Sequence, residues 1–236
     1  MVKTPIDCVP YELRHTPFER VNDNMITQSN QCKSNIALAL TGASGMPYAR
    51  RLLACLIKQN IQVDLLYSEA AQTVAKQECD WLLSSDFADT EQRLSQEFQA
   101  QTGQLKVFGR HDWFSHLASG SAFPDAMIVC PASMGTVAAI ANGLSDNLIE
   151  RAADVCLKEK KPLIIVPRET PFSLIHLRNL TALAESGATI LPPAPAFYHR
   201  PQTVDDMVDF VVYRILQHLQ IIDDKAYHWG KEKNKN

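Results

Sequence analysis

The sequence predicts an α/β protein with a doubly wound, mostly parallel sheet in a single domain. Short apolar runs alternate along the chain with segments of helical length, so strands joined by crossover helices are expected. The runs carry few polar residues, which is typical of strands that are buried on both faces. The length of 236 residues, with 46% hydrophobic and 21% charged residues, suits one such domain.

The predicted elements follow one another regularly from Asn35. The predicted strands span residues 36–40, 62–67, 126–130, 163–166 and 188–191. The predicted helices span residues 47–59, 69–78, 135–142, 147–158, 173–185 and 203–219. Residues 80–120 are polar and weakly patterned, so no element is predicted there. A proline-rich loop is expected over residues 192–201.

The two ends of the chain lack this pattern. Residues 1–34 are rich in polar residues and proline, and we expect an N-terminal extension that is either disordered or packed on a neighbour. The predicted α/β domain is expected over residues 35–221, followed by a C-terminal tail over residues 222–236. The charge run at the end of this tail is interpreted as a solvated end.

Composition excludes several classes of function. The net charge is −3 and no basic stripe is present, so no nucleic-acid partner is expected. No apolar stretch reaches the roughly 18 residues of a membrane helix and no leader is recognisable, so no membrane partner and a cytoplasmic location are expected. The six cysteines are far apart and form no CxxC pair. They are interpreted as buried free thiols, and no metal is expected.

Small and hydroxyl residues follow the predicted strands, where parallel sheets bind ligands. The turn Thr41-Gly-Ala-Ser-Gly45 lies between the first strand and the first helix, where free helix N–H groups are expected to face a phosphate. A nucleotide or flavin is implied, although a merely tight turn is an alternative; the dinucleotide fingerprint is absent. The turn 130–136 has small side chains that admit either an aromatic ring or a closely packed helix.

Longer motifs allow a family to be named. They are ANGLSDNLIERAADV at 141–155, PRETP at 167–171, LIHL at 174–177 and PPAPAFYHRP at 192–201. With these motifs the chain resembles the UbiX/Pad1 flavin prenyltransferases from Asn35 to about Ile221. The resemblance implies a Rossmann-like (flavodoxin-like) flavoprotein and a homo-oligomer, a dodecamer, with FMN and substrate held between subunits.

The resemblance also implies the reaction. Dimethylallyl monophosphate would transfer its dimethylallyl group to N5 and C6 of reduced FMN without a metal. The product, prenylated FMN, would serve a UbiD-type decarboxylase in ubiquinone biosynthesis or in aromatic acid decarboxylation. The sequence leaves open which decarboxylase receives it, and whether the pyrophosphate substrate is also accepted.

Site residues follow from the resemblance, position by position. The flavin-binding set is Gly42, Ala43, Ser44, Ser68, Ser133, Met134, Arg151 and Arg168. The set for the substrate phosphate is Lys158, Arg168, Tyr198 and Arg214. The catalytic set is Ser44, Glu169, Lys158 and Glu78. Cations and a phenol suit a dianionic phosphate, and a carboxylate beside it suits acid–base chemistry.

Structural alternatives exist for several of these residues. Arg168 and Glu169 are adjacent and could form a surface ion pair. Glu78 and Arg151, taken alone, are typical of helix salt bridges. The resemblance leaves open whether Trp229, in the tail, covers a neighbouring subunit's allyl pocket. Structural hydrogen bonds, not catalysis, are expected of two histidines within the motifs, His176 and His199.

Three other functions compete with this one. A flavin-dependent cysteine decarboxylase shares the P-A-S-x-x-T turn but needs a P-x-M-N motif, and PRETP occupies that region here. A nicotinamide reductase shares T-G-A-S-G but needs Tyr-x-x-x-Lys on a core helix, and the only match, Tyr227 with Lys231, lies beyond the last helix. A flavin-storage protein without turnover remains an alternative. The presence of residues suited to phosphate binding and acid–base chemistry argues against it.

Overall fold

Six parallel strands form one sheet in the computed structural model, which describes residues 34–221. The strands are β1 (Asn35–Leu40), β2 (Gln62–Tyr67), β3 (Leu105–Phe108), β4 (Ala126–Ala132), β5 (Leu163–Pro167) and β6 (Thr189–Ile190). Their order across the sheet is β3-β2-β1-β4-β5-β6, and every neighbouring pair is parallel. This is the strand order of the Rossmann fold, which confirms the predicted doubly wound class.

Seven α-helices connect or follow the strands in the described region. They are α1 (Met46–Lys58), α2 (Glu69–Cys79), α3 (Phe87–Glu97), α4 (Met134–Ala141), α5 (Leu148–Lys158), α6 (Leu174–Glu185) and α7 (Val204–His218). The six predicted helices are confirmed to within one residue at each end. Local capping explains this agreement, because Asn147 and Thr203 accept hydrogen bonds from the first turns of α5 and α7.

Residues 80–120, for which the sequence predicts no element, contain regular structure. Helix α3 and strand β3 lie there, with two single-turn 3₁₀ helices over His116–Ala118 and Gly120–Ala122. Helix α3 buries only Thr90 and Leu94, and β3 is a four-residue edge strand. Such short and mostly polar elements leave too few apolar positions for a period to be recognised.

Helices cover both faces of the sheet. Ala37 and Ala39 of β1 belong to the core that packs against α4, α5 and α6. Because side chains alternate along a strand, Leu38 and Leu40 face the other side, where α1 contacts α2 and α7. All four of these side chains are fully buried. Because helices cover both faces of the sheet, the loops meet at its carboxyl edge.

The cysteines within residues 34–221 are free thiols, as predicted. Cys55, Cys130 and Cys156 are buried, and burial raises the pKa of Cys130 and Cys156 to about 12. These thiols stay protonated at neutral pH and serve as small core residues. Cys8 and Cys32 lie outside the described residues, as do the predicted tail and the extension except for Ser34.

Within residues 34–221, no helix is both long and apolar enough to cross a membrane.

A buried ion pair joins α1 to α7. The Nε atom of Arg51 lies 2.6 Å from Oδ1 of Asp209, and Nη2 lies 3.1 Å from Oδ2. Both side chains are about nine-tenths buried, with exposed fractions of 10% and 9%. Burial raises the pKa of Asp209, and the Arg51 guanidinium acts against this rise. The carboxylate therefore depends on Arg51 to remain ionised in the fold.

We predict that Arg51→Met lowers the free energy of unfolding by about 3–5 kcal/mol, because it leaves a buried carboxylate without its cation. The loss should shrink as the pH is lowered, since protonation removes the uncompensated charge. Urea denaturation at several pH values measures both effects. Arg50→Met is the matched control, because Arg50 pairs with Glu97 near the surface and should contribute less than about 1 kcal/mol. Equal losses in the two variants would contradict the prediction.

Candidate active site

The turns after β1, β2, β4 and β5 meet at the carboxyl edge of the sheet. Strand β1 lies between β2 and β4, so the connection that leaves β1 turns away from the one that leaves β4. A crevice opens at such a point of reversal, and ligands of parallel sheets bind there. The predicted flavin-binding residues Gly42, Ala43, Ser44, Ser68, Ser133 and Met134 all lie in these turns or begin the helices after them.

Two glycines shape the first turn. A Cβ atom at Gly42 would come within 2.4 Å of the Cβ atom of Ala70, so α2 packs directly on the backbone of this turn. Gly45 has a φ of 126°, a conformation that side chains rarely adopt. Neither position admits a larger residue. At Gly42, the group that approaches the backbone closely is therefore helix α2.

A threonine joins the first turn to the turn after β4. Thr41 is buried, and both its backbone N and its Oγ1 donate to the carbonyl oxygen of Pro131, at 3.1 and 2.8 Å. Its Oγ1 also accepts from the backbone N of Ser133 at 2.7 Å. These three bonds fix the two turns against each other. Sequence reasoning did not single out Thr41, although its place directly after a buried strand was a signal.

The N-terminus of α1 is occupied by a carboxylate from the same chain. Oε2 of Glu78 accepts hydrogen bonds from the backbone N–H groups of Gly45 and Met46, both at 2.9 Å. The expectation that free N–H groups of this helix face a phosphate is therefore wrong for these two. A negative side chain at a helix N-terminus is stabilised by the helix dipole. Glu78 thus acts as a cap, and its predicted catalytic role remains a prediction.

Two of the predicted flavin-binding serines also cap helices. The Oγ of Ser68 accepts from the N–H of Ala71 at 3.1 Å, and the Oγ of Ser133 accepts from the N–H of Thr136 at 3.3 Å. The Oγ of Ser133 also shares a hydrogen bond with Oγ1 of Thr136 at 3.1 Å, whereas the Ser68 hydroxyl still has a proton to donate. Beside them, Ala43 and Met134 are buried apolar residues. The edge therefore combines small apolar surfaces with oriented hydroxyl groups.

Arg168 and Glu169 directly follow β5, and the side chain of Arg168 reaches the first turn. The backbone N of Arg168 donates to Ala132, and its Nε donates to the carbonyl oxygen of Ser44, both at 3.2 Å. Oε1 of Glu169 accepts from the N–H of Thr170 at 3.0 Å. Within residues 34–221, Arg168 and Glu169 do not pair with each other. The surface ion pair considered as an alternative is therefore not formed.

Arg151 lies one turn into α5. Its Nε donates to the carbonyl oxygen of Ala118 at 3.2 Å, and its Nη1 lies 2.8 Å from Oδ2 of Asp154. The side chain is about one-third exposed. These bonds use two of the five N–H donors of the guanidinium. The remaining donors suit an acceptor oxygen of a ligand.

Lys158 lies at the opposite edge of the sheet. Helix α5 starts beside the carboxyl end of β3, where Leu148 donates its N–H to the carbonyl oxygen of Arg110 at 2.8 Å. Past the end of α5, the carbonyl oxygen of Pro162 accepts from the start of β4 at 2.9 Å. Lys158 ends the helix, roughly 15 Å along its axis from Leu148. Its ammonium pairs with Glu159 at 3.1 Å.

Tyr198 and Arg214 form a third group, on α7 and the loop before it. The ring of Tyr198 meets that of Phe210 edge-on, with centroids 6.0 Å apart. Nη1 of Arg214 donates to Oε1 of Gln217 at 2.7 Å. A pocket of about 160 Å³ opens beside Arg214 where β6 ends. It is lined by Leu191, Pro192, Ala194, Phe210, Val211, Arg214 and His218.

One chain thus brings most of the predicted flavin set together but separates the predicted phosphate set. Trp229 lies outside the described residues. The hydrogen bond expected of His176 is confirmed, because its Nδ1 accepts from the N–H of Ser173 at 3.2 Å in a capping box. The ring of His199 stacks on Phe210 at 5.2 Å. Sequence reasoning also missed the hydrogen-bonded pair of Asp64, which is buried, and His116, which is partly exposed.

Comparison with known proteins decides the family. Residues 24–216 match the model of the Flavoprotein family. Flavin prenyltransferase UbiX of Pseudomonas aeruginosa is 51% identical over 197 residues, which cover 84% of this chain and 94% of that protein. Flavin prenyltransferase UbiX of Alkalihalophilus pseudofirmus is 41% identical over 86% of this chain and all of that protein. The chain belongs to the UbiX family of flavin prenyltransferases.

Solved structures of UbiX-like proteins share its fold. A dodecameric FMN-dependent UbiX-like decarboxylase from Escherichia coli has a TM-score of 0.73 at 36% identity, covering 84% of this chain and all of that one. The structure of AnUbiX (PadA1) in complex with FMN and dimethylallyl pyrophosphate has a TM-score of 0.74 at 36% identity, covering 85% and 99%. A PPC decarboxylase mutant, at 20% identity and a TM-score of 0.52, shares the fold alone. UbiX membership therefore takes precedence over the cysteine decarboxylase alternative.

We predict that Thr41→Val lowers the free energy of unfolding by about 1–3 kcal/mol, because the N–H of Ser133 loses its acceptor where the two turns meet. Valine keeps the shape of threonine, so the loss reports the hydroxyl. Thr73→Val on the exposed face of α2 is the control, and urea denaturation is the measurement. If both variants unfold at the same urea concentration as the wild type, the hydroxyl does not hold the turns together.

Proposed function

We propose that this chain is a flavin prenyltransferase that joins the dimethylallyl group of dimethylallyl monophosphate to N5 and C6 of reduced FMN. One observation carries the proposal: the chain is 51% identical to a flavin prenyltransferase over 84% of its length. The predicted residues on its carboxyl edge agree with it. The nicotinamide reductase alternative lacks its Tyr-x-x-x-Lys pair on any core helix.

The carboxyl edge fits FMN in shape and chemistry. A Cβ atom at Gly135 would meet nothing within 4 Å, so the start of α4 is open to a flat group. Ala43 and Met134 are apolar residues of these turns, and the exposed residue Arg168 offers hydrogen-bond donors. When bound, reduced FMN supplies the nucleophilic atoms that accept the dimethylallyl group. The proposed flavin contacts are those predicted from sequence.

Each polar residue then has a definite task. Ser44 would orient the flavin at N5 through its hydroxyl, and Arg168 fixes the backbone of Ser44 for this purpose. Glu169 is proposed as the acid–base group, because it follows Arg168 in the turn after β5 and is only partly exposed. Glu78 keeps the first turn rigid by capping α1. We propose that Glu78 affects catalysis only indirectly, by holding this turn in place.

The leaving group is a phosphate, which requires several cations. Lys158, Arg168 and Arg214, with the phenol of Tyr198, would bind its oxygens and stabilise the negative charge that develops as the C–O bond breaks. Two guanidinium groups and an ammonium carry enough positive charge to neutralise a dianionic phosphate without a metal. The same set would also accept a pyrophosphate, as the ligand of AnUbiX (PadA1) illustrates.

We infer that the phosphate site is assembled from more than one subunit. Lys158 and Arg168 lie at opposite edges of the sheet, so one chain cannot close them on a single phosphate. Helix α6 exposes Leu174, Ile175 and Leu177 by 61%, 67% and 47%, an apolar surface that a second copy would cover. The dodecameric E. coli relative supports a dodecamer here.

The fate of the product follows from its chemistry. Prenylated FMN is a cofactor and not an end product, so a UbiD-type decarboxylase is proposed as its recipient. The cytoplasmic location remains a prediction.

Anaerobic incubation with reduced FMN and dimethylallyl monophosphate, followed by mass analysis of the flavin, tests the proposed function.

We predict that Glu169→Gln keeps FMN binding but lowers turnover by roughly 10² to 10⁴, as is typical of a lost general acid or base. Arg214→Ala should act mainly by raising KM, because it removes a phosphate contact that is present before and during reaction.

Two results would contradict these assignments. A wild-type protein that binds FMN tightly but never alters its mass would favour the flavin-storage alternative. Wild-type turnover by Glu169→Gln at saturating substrate would assign the proton transfers to the released phosphate or to water.

We also predict that Lys158→Ala and Arg168→Ala are each inactive but regain activity when they are co-expressed in one oligomer. In an equal mixture, about a quarter of the shared sites would combine the two intact residues from different subunits. Separately tagged chains and tandem purification isolate the mixed oligomer, and the mass assay measures its turnover. A mixture of Lys158→Ala with itself under two tags is the control. Should the mixed oligomer stay inactive, both residues act from the same subunit or not at all.

A further inference from the structure

A carboxylate lies in the core of the sheet, away from the crevice. Asp64 is the third residue of β2 and is completely buried. Its side chain shares a sheet face with Leu66, which belongs to the apolar cluster beneath α4 and α5. A leucine or valine would be the ordinary residue at such a position.

Asp64 is held by two side chains. Its Oδ2 lies 2.7 Å from Nε2 of His116 and accepts from Nδ2 of Asn35, also at 2.7 Å. His116 is the partner that can carry a positive charge, and its side chain is 27% exposed. A buried carboxylate requires such partners. Replacing a buried pair of this kind by apolar residues is often neutral or stabilising, so fold stability alone does not account for it.

The pair fixes one short segment. His116 begins the 3₁₀ helix His116–Ala118, and its ring meets Phe108 edge-on at 5.4 Å. The next residue, Leu117, is fully buried in the same cluster. The segment is therefore held on two sides, by the hydrogen bond between His116 and Asp64 and by the core. Its last residue, Ala118, then has a fixed carbonyl direction.

That carbonyl holds a residue of the proposed flavin site. The oxygen of Ala118 accepts from Nε of Arg151 at 3.2 Å, while Asp154 binds Nη1 at 2.8 Å. Arg151 has four side-chain torsions that a ligand would otherwise have to order. Fixing Nε and Nη1 in advance leaves the other donors aimed in one direction, which lowers the entropy lost on binding.

We propose that Asp64 and His116 are positioning residues that, through the carbonyl of Ala118, hold the Arg151 guanidinium ready for an acceptor oxygen of the bound flavin. The inference rests on the proposed function, because it takes Arg151 as a flavin contact. Neither Asp64 nor His116 would touch the flavin.

Flavin affinity measured by fluorescence titration with FMN tests the proposal. His116→Ala should weaken FMN binding about tenfold. His116→Gln, whose amide still donates to Asp64, should restore affinity to within about twofold of the wild type. His111→Ala, which removes an exposed histidine five residues earlier, is the matched control and should bind FMN normally.

A double-mutant cycle identifies the route of the effect. If His116 acts through Arg151, His116→Ala should cause no further loss of affinity in an Arg151→Met background. An equal loss in both backgrounds would overturn the proposal, as would normal FMN binding by His116→Ala or by Arg151→Met in an otherwise wild-type chain.

A second variant covers the case in which His116→Ala fails to fold. Asp64→Leu removes the buried charge together with its hydrogen bonds, so no uncompensated carboxylate remains. It should weaken FMN binding about as much as His116→Ala, again only when Arg151 is present. Failure of the wild type to bind FMN would count against the proposed function. Normal wild-type binding with no effect of these variants would count against this inference alone.

Discussion

The central constraint on this protein is the parallel pairing of β1 with β2 on one side and β4 on the other. All six residues of β1 pair with β2, and residues 36–39 also pair with β4. The helices that follow these strands must leave on different faces, so the turns diverge at the carboxyl edge. Thr41 then ties the turn after β1 to the turn after β4. Everything proposed for the flavin depends on this arrangement.

Groups at this edge hold the scaffold and face the crevice at once. Glu78 caps α1, while Ser68 and Ser133 cap the helices that begin beside it. Side chains that are fixed by backbone bonds lose little entropy when a ligand arrives. Arg168 follows the same principle through its bond to the backbone of Ser44. Hydrogen bonds within the chain itself thus fix the polar groups of this edge.

The phosphate chemistry is distributed differently. Lys158 ends α5 at the amino edge of the sheet, whereas Arg168 follows β5 at the carboxyl edge. On the proposed function, assembly completes the substrate site, and exposed apolar residues on α6 offer a surface for it. Cations that are kept apart in the single chain would repel one another only in the assembled site, where the phosphate compensates their charge.

The sequence by itself determined the class of fold, most of its elements and the family. Apolar runs such as 36–40 and 62–67 predict buried strands locally, and capping residues such as Asn147 mark helix starts. Only the tertiary structure decided where side chains from distant segments meet. Glu78 reaches Gly45, Asp64 reaches His116, and α3 with β3 forms despite weak patterning. Periodicity reports which face of an element is buried. It carries no information about which distant residue lies opposite, because packing of the whole chain sets those contacts.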